Sequence, residues 1–210
     1  MSEIILVRHG QASFGADSYD KLSDKGVEQV KVLARHWQEV GEQFDHVYSG
    51  TLLRQRETAN ELLALVKGAP SASTENPSFN EYNGDPLMRV YLRDHAAQEG
   101  FDVPIAWPIK DERLFQRIFE AACAKWIRGE LTPSSEEANF EHWADFQDRV
   151  HTAIDEIMAR HNEGARVLVS TSGGVIAMVL QRVLQFPDDV VITTNWMVRN
   201  SSVSRIKYGG

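Results

Sequence analysis

The chain has 210 residues, of which 42% are hydrophobic and 25% charged, the balance of a globular protein able to bury a sizeable core. Its formal net charge of −8 argues against nucleic acid as a partner, since a binder of phosphate backbone presents a basic surface. The single cysteine, Cys123, excludes an intramolecular disulfide and a cysteine-based metal cluster, and the apolar run Val175–Leu180 is too short to span a bilayer.

Met1-Ser2-Glu3 lacks the basic and apolar regions of a secretory signal, so a soluble cytoplasmic protein is expected. In chain order, Glu3–Val7 reads as a buried strand. Ser23 can cap a helix bearing Val27, Val30, Ala34 and Trp37 on one face and ending near Gly41. His46–Ser49 is a short strand, followed by a helix over Leu52–Lys67 with Thr58, Leu62 and Val66 in one row and Gly68 as its stop. Residues 84–132, with Pro86, Pro104 and Pro108, break the rhythm and hold a helix over Glu112–Arg128. That helix carries two apolar rows, Leu114-Ile118-Ala122-Trp126 and Phe115-Phe119-Cys123-Ile127, which serve either as core or as the underside of a lid.

Ser134 and Glu137 have the spacing of a capping box, which predicts a long helix behind it with Trp143, Val150, Ile154, Ile157 and Met158 buried. A strand over Arg166–Ser170, a Gly173-Gly174 turn and a helix to Phe186 come next. Val190–Val198 and Val203–Tyr208 read as closing strands. The alternation implies an α/β fold: three layers, α/β/α, with a mainly parallel central sheet. One domain over 1–210 is expected, with 84–132 as a helical lid insertion at the ligand edge.

Three segments share one topological position, just past a strand's carboxyl end, where open α/β sheets bind ligands. They are Arg8-His9-Gly10, Ser49-Gly50-Thr51-Leu52-Leu53-Arg54 and Ser170-Thr171-Ser172-Gly173-Gly174. A guanidinium beside an imidazole suits a phosphoryl group, which the first holds and the second attacks. Arg54 falls in the first turn of its helix, where backbone N–H groups also favour an anion, and Gly173 lets the backbone approach a ligand. Arg54 could instead pair with Glu57, three residues on, and Arg56 faces elsewhere as a solvated charge. Arg89 and Arg93, one turn apart in the lid, either read a second anionic group or are exposed helix charge.

Taken in order, these residues resemble the histidine phosphatase superfamily, the phosphoglycerate mutase-like proteins. The likeness rests on Arg8-His9-Gly10-Gln11; Asp20, Leu22-Ser23, Gly26 and Gln29; Ser49, Leu53-Arg54 and Thr58-Ala59. It continues with Glu81 in Phe79-Asn80-Glu81-Tyr82, then Val167–Ile176, Asn200 and Ser202. The resemblance implies a two-step phosphoryl transfer without cofactor or metal. His9 is the nucleophile, with its other ring nitrogen held by an acceptor such as a backbone carbonyl. Arg8 and Arg54 bind the phosphoryl oxygens with Ser172 and Gly173, and Glu81 serves as acid and then base. A small phosphorylated substrate is implied.

Two positions depart from the pattern. Ser172 stands where the resemblance places a second catalytic histidine, and supplies a hydroxyl without charge. Ala12 and Gly15 stand where mutase-like members carry a serine and an asparagine. The expectation is therefore a phosphatase acting through phosphohistidine and weakened or altered by Ser172, in which a histidine at 172 would raise turnover. A protein that binds a phosphorylated ligand with impaired catalysis is the alternative, and a phosphoglycerate mutase the third reading. Trp196 and Met197 mark either an edge-to-edge dimer or core.

Overall fold

The computed structural model describes residues 1–13 and 20–209, and Gly15 lies outside them. The chain divides into two compact units, one of Met1–Glu81 with Arg149–Gly210 and one of Tyr82–Asp148. The first unit holds the sheet, whose strands are β1 (Ser2–Arg8), β2 (His46–Ser49), β3 (Thr74–Glu75), β4 (Arg166–Thr171) and β5 (Val203–Tyr208). Their spatial order is β3-β2-β4-β1-β5, parallel throughout except for β5, which runs antiparallel to β1.

The central parallel strands β1 and β4 are apolar on both faces, as buried parallel strands must be. Ile5, Val7, Val47 and Leu168 pack with Val30, Ala34 and Trp37 of α1 (Asp24–Glu39) and Leu62 of α2 (Leu53–Leu65). On the opposite face Ile4, Leu6, Val167 and Val169 are fully buried, so helices cover both sides. In this unit α1 begins at its Ser23 cap, whose hydroxyl accepts from Gly26 N, as the spacing predicts.

The parallel register sets the site. Arg8 lies opposite Thr171 on β4, and Ser49 opposite Ser170, so the loops leaving β1, β2 and β4 emerge together at one sheet edge. Gly10 makes this possible: a Cβ there would come within 2.4 Å of the Gly26 carbonyl oxygen, and one on Gly26 within 2.1 Å of the Gln11 oxygen. Backbone meets backbone with no room for a side chain.

In the second unit, α3 (Gly84–Asp94) and α4 (Glu112–Ile127) pack around an aromatic cluster. Trp126 stands 4.8 Å from Tyr82 and 4.9 Å from Trp143, ring centre to centre. Of the two rows on α4, Ile118, Ala122 and Trp126 of the first are buried, with Cys123, while Phe115 of the second is exposed. The expected insertion, 84–132, falls inside this unit.

Several expectations are corrected. The Ser134 capping box forms, but it caps a single 3-10 turn, Ser135–Glu137, and α5 starts only at Trp143 and runs to Arg160. Its buried residues include Val150, Ile154 and Ile157, whereas Met158 is half-buried. Gly173 and Gly174 are not a free-standing turn but the first residues of α6 (Gly173–Leu184). Val190–Val198 is not a strand: Asp188–Met197 forms α7, with Asp188 and Asp189 in its first turn complementing the positive helix end. Its apolar residues Val190-Val191-Ile192 are contiguous, without the alternation of a half-buried strand. Trp196 and Met197 are exposed on this helix, and the sheet's edges are β3 and β5, so strand pairing through them is ruled out.

Candidate active site

His9 comes directly after β1 and is buried, its backbone N–H donating to Thr171 O at 2.8 Å. Its own carbonyl accepts from Asn200 Nδ2 at 3.0 Å, and Arg8 N donates to Ser202 O, which explains why the end of the chain belongs to the pattern. The ring makes two hydrogen bonds. Nδ1 lies 2.7 Å from Gly10 O, and Arg54 Nε lies 3.2 Å from Nε2.

Those partners decide the tautomer. A guanidinium only donates and a carbonyl only accepts, so the proton sits on Nδ1 and the lone pair on Nε2. Burial, reinforced by the charges of Arg54 and Arg8 and opposed by the Gly10 carbonyl, pushes the His9 pKa down to about 3. His9 is therefore a neutral imidazole with its nucleophilic nitrogen aimed at a cation.

Arg54, second residue of α2, is held from the other side. Its Nη1 reaches Asp20 Oδ1 at 2.6 Å, and the second carboxylate oxygen accepts from Leu53 N at 2.7 Å at the helix start. Asp20 thus caps α2 and aims the guanidinium. The pair with Glu57 does not form, because that carboxylate accepts from Leu22 N at 2.7 Å. Arg56 pairs with exposed Glu75, as a solvated charge would. Arg8 donates through Nη1 to Val198 O, and its Cζ lies 3.5 Å from where a Cβ on Gly173 would sit. That Cβ would also come within 2.3 Å of Asn195 Oδ1, so a side chain at the start of α6 would have to displace the Asn195 amide.

Glu81 joins the same helix start, its Oε2 accepting from Gly174 N at 2.9 Å. Ser172 precedes the helix and is buried, but its hydroxyl does not cap α6; it accepts from Gln55 Nε2 at 2.9 Å. The structure thus brings Arg8, His9, Arg54, Glu81, Ser172 and Gly173 to strand ends, loops and helix starts at one edge of the sheet. Arg89 and Arg93 lie in the other unit and are engaged there. Arg89 pairs with Asp85 at 2.7 Å with its guanidinium 4.6 Å over the Trp107 ring, and Arg93 binds Asp94 and Glu137.

Sequence reasoning assigned no role to Gln55. The signal was present: Gln55 begins the row continued by Thr58, Leu62 and Val66, so helical periodicity buries its amide. Among the described residues no group of three His, Cys, Asp or Glu side chains could hold a metal, and no helix is long and apolar enough to cross a membrane.

The chain is similar to known proteins in sequence and in fold. The chain is 35% identical over 215 residues to a 2,3-bisphosphoglycerate-dependent phosphoglycerate mutase of Lactobacillus acidophilus, covering 91% of this chain and 88% of that one. It is 25% identical over 191 residues to a metal-independent phosphoserine phosphatase of Arabidopsis thaliana, covering 88% and 70%. Its fold is similar to that of Bacillus stearothermophilus YhfR, with a TM-score of 0.67 at 20% identity over 100% and 93% of the chains. The sequence matches the histidine phosphatase superfamily (branch 1) over residues 4–102 and 105–210. Because that match omits only 1–3 and 103–104, the chain belongs to the histidine phosphatase superfamily, branch 1.

Proposed function

We propose that the protein is a phosphatase that cleaves a small phosphate monoester through a phosphohistidine on His9. The observation that carries this reading is the His9 tautomer, a neutral ring whose Nε2 lone pair faces Arg54. An arriving phosphoryl group draws the guanidinium onto its oxygens and exposes Nε2. The P–N bond forms as the P–O bond to the leaving group breaks, and Glu81 passes a proton to the departing oxygen. Water then attacks phosphorus and gives its proton to Glu81, the P–N bond breaks, and His9 is released neutral with inorganic phosphate. Arg8 and Arg54 offset charge on the equatorial oxygens, with Ser172 and the backbone at Gly173 adding uncharged donors.

A second reading, phosphate binding without useful turnover, is favoured by Ser172. A hydroxyl brings no charge to the transition state, and losing one preorganised donor costs about 10²–10³ in rate. A phosphoglycerate mutase ranks third despite the relatives of that name, since Ala12 stands where a phosphate-contacting serine is expected in that class.

Trapping separates these. The protein is incubated with a reactive aryl phosphate at mildly acidic and neutral pH, quenched, and searched for acid-labile phosphate. Label on His9 with release of phenol, both absent in His9→Ala, is the expected result. No label and no release, with orthovanadate still bound, would leave the binding reading.

A further inference from the structure

Gln55 is fully buried in the first turn of α2, and every polar atom of its carboxamide is engaged. Nε2 donates to Phe79 O and to Ser172 Oγ, each at 2.9 Å, and Oε1 accepts from Leu52 N at 3.3 Å. The orientation is determined by these partners. Flipping the amide would set Oε1 against the Phe79 carbonyl and Nε2 against the Leu52 N–H, two like-with-like contacts. Ser172 must then be the acceptor in its bond with Gln55, which leaves the hydroxyl proton to be donated elsewhere.

The bonds that Ser172 leaves unmade give the direction of that proton. A serine preceding a helix ordinarily caps it, yet Ser172 makes no side-chain bond to α6. Its neighbours on β4 are committed inward: Ser170 Oγ donates to Gln55 O at 2.8 Å and Thr171 Oγ1 to Phe79 O at 2.7 Å. Ser172 comes one residue after Thr171, which pairs with Arg8 and bonds to His9 N, so its hydroxyl stands at the sheet edge where the phosphoryl group would sit.

We propose that Gln55 is a positioning residue of the phosphoryl site, which holds the Ser172 hydroxyl as a hydrogen-bond donor to the bound phosphoryl group. The proposal rests on the phosphatase reading for its effect on rate, and on phosphate binding alone for its effect on affinity. Gly50 belongs to the same device: a Cβ on it would lie 1.9 Å from Gln55 Oε1, so the amide is clamped between the β2–α2 loop and Ser172. The clamp has two consequences. Gln55 cannot swing aside to admit a larger side chain at 172, so Ser172→His alone lowers turnover instead of raising it. The same histidine placed beside Gln55→Ala has the vacated volume available and loses less.

The test is a double-mutant cycle with Gln55→Met, which conserves volume but has no donor, and Ser172→Ala, read with an aryl phosphate and with orthovanadate. The expected result for Gln55→Met is a fall in kcat of about tenfold, below the 10² that a 1 Å misplacement can cost. KM stays nearly unchanged, and in the Ser172→Ala background the loss vanishes. Equal losses in both backgrounds would make Gln55 a packing residue and overturn the proposal, as would an unchanged kcat in Gln55→Met. Should Gln55→Met fail to fold, Gln55→Glu keeps the shape while reversing the donor, and must show the same dependence on Ser172. If the parent protein neither labels on His9 nor turns over, the phosphatase reading fails by itself. Vanadate affinity then carries the cycle, with coupling supporting the positioning role and additivity ending it.

Discussion

Arg54 donates from Nε to His9 Nε2 over 3.2 Å, so the cation that would bind phosphate occupies the nucleophile's lone pair in the resting site. The contact keeps His9 neutral and correctly turned, and Asp20 holds the guanidinium from behind at 2.6 Å. Arg54→Ala is therefore expected to weaken orthovanadate binding by about 100-fold, the effect of removing a bidentate, charge-assisted donor from a desolvated site. Arg56→Ala, exposed and paired with Glu75, should leave it unchanged. Isothermal titration of both variants checks this, and equal effects would place the phosphate elsewhere.

His9 also ties stability to pH. The group titrates near 6.5 in the unfolded chain and at about 3 when folded, because burial disfavours the charged ring. Between those values the unfolded state binds the additional proton. Its contribution is thus fully present above pH 6.5 and is lost as pH falls toward 3, at up to about 1.4 kcal/mol per pH unit. His9→Gln removes the linkage. Urea midpoints at neutral and mildly acidic pH should decline more steeply for the parent than for the variant; parallel declines would mean that His9 is not held neutral.

The close approach at the end of β1 predicts two sharp losses. Gly10→Ala puts a Cβ 2.4 Å from Gly26 O, and Gly26→Ala puts one 2.1 Å from Gln11 O. Both obstacles are backbone and cannot rotate away, so each change should cost about 3 kcal/mol or disrupt the loop that carries His9. Gly41→Ala is the control: its φ of +70° strains a side chain, but nothing lies within 4 Å, and the cost should stay at about 1–2 kcal/mol. Chemical denaturation of the three variants gives the comparison, and a Gly10→Ala loss no larger than that of Gly41→Ala would mean the loop after β1 and the start of α1 can part.

The sheet and the edge where the loops gather were legible because β1, β2 and β4 are short apolar runs, each followed directly by polar or glycine residues. Topology then did the rest: once the strands are parallel, Arg8, Arg54 and Ser172 come to the same edge. The features that escaped are those that a run or a spacing does not carry. The Ser134–Glu137 pattern specifies a local hydrogen-bonded start but not the length of the helix it opens, and here a 3-10 turn uses it. The β-branched residues of α7 satisfy strand propensity, yet tertiary burial of Val191 and Ile192, with Asp188 and Asp189 favouring a helix start, decides otherwise. Gln55 was overlooked because a scan for apolar rows passes over an amide that occupies the same face.

Arg93 offers a direct check on whether the second unit contributes charge to substrate recognition. Its Nη1 donates to Glu137 Oε2 at 2.8 Å, its Nε and Nη2 to Asp94 at 2.7 Å, and Nη2 also to Thr132 O at 2.8 Å. A substrate anion would have to displace two carboxylates to reach it. Arg93→Met should therefore lower the unfolding free energy by about 1 kcal/mol, discounted for a guanidinium that is partly exposed. KM for an aryl phosphate, and for a phosphate ester carrying a second carboxylate, should stay within about twofold, as for a guanidinium whose donors are already taken by carboxylates. A KM raised only for the doubly charged ester, at unchanged stability, would instead make Arg93 a reader of the second anionic group.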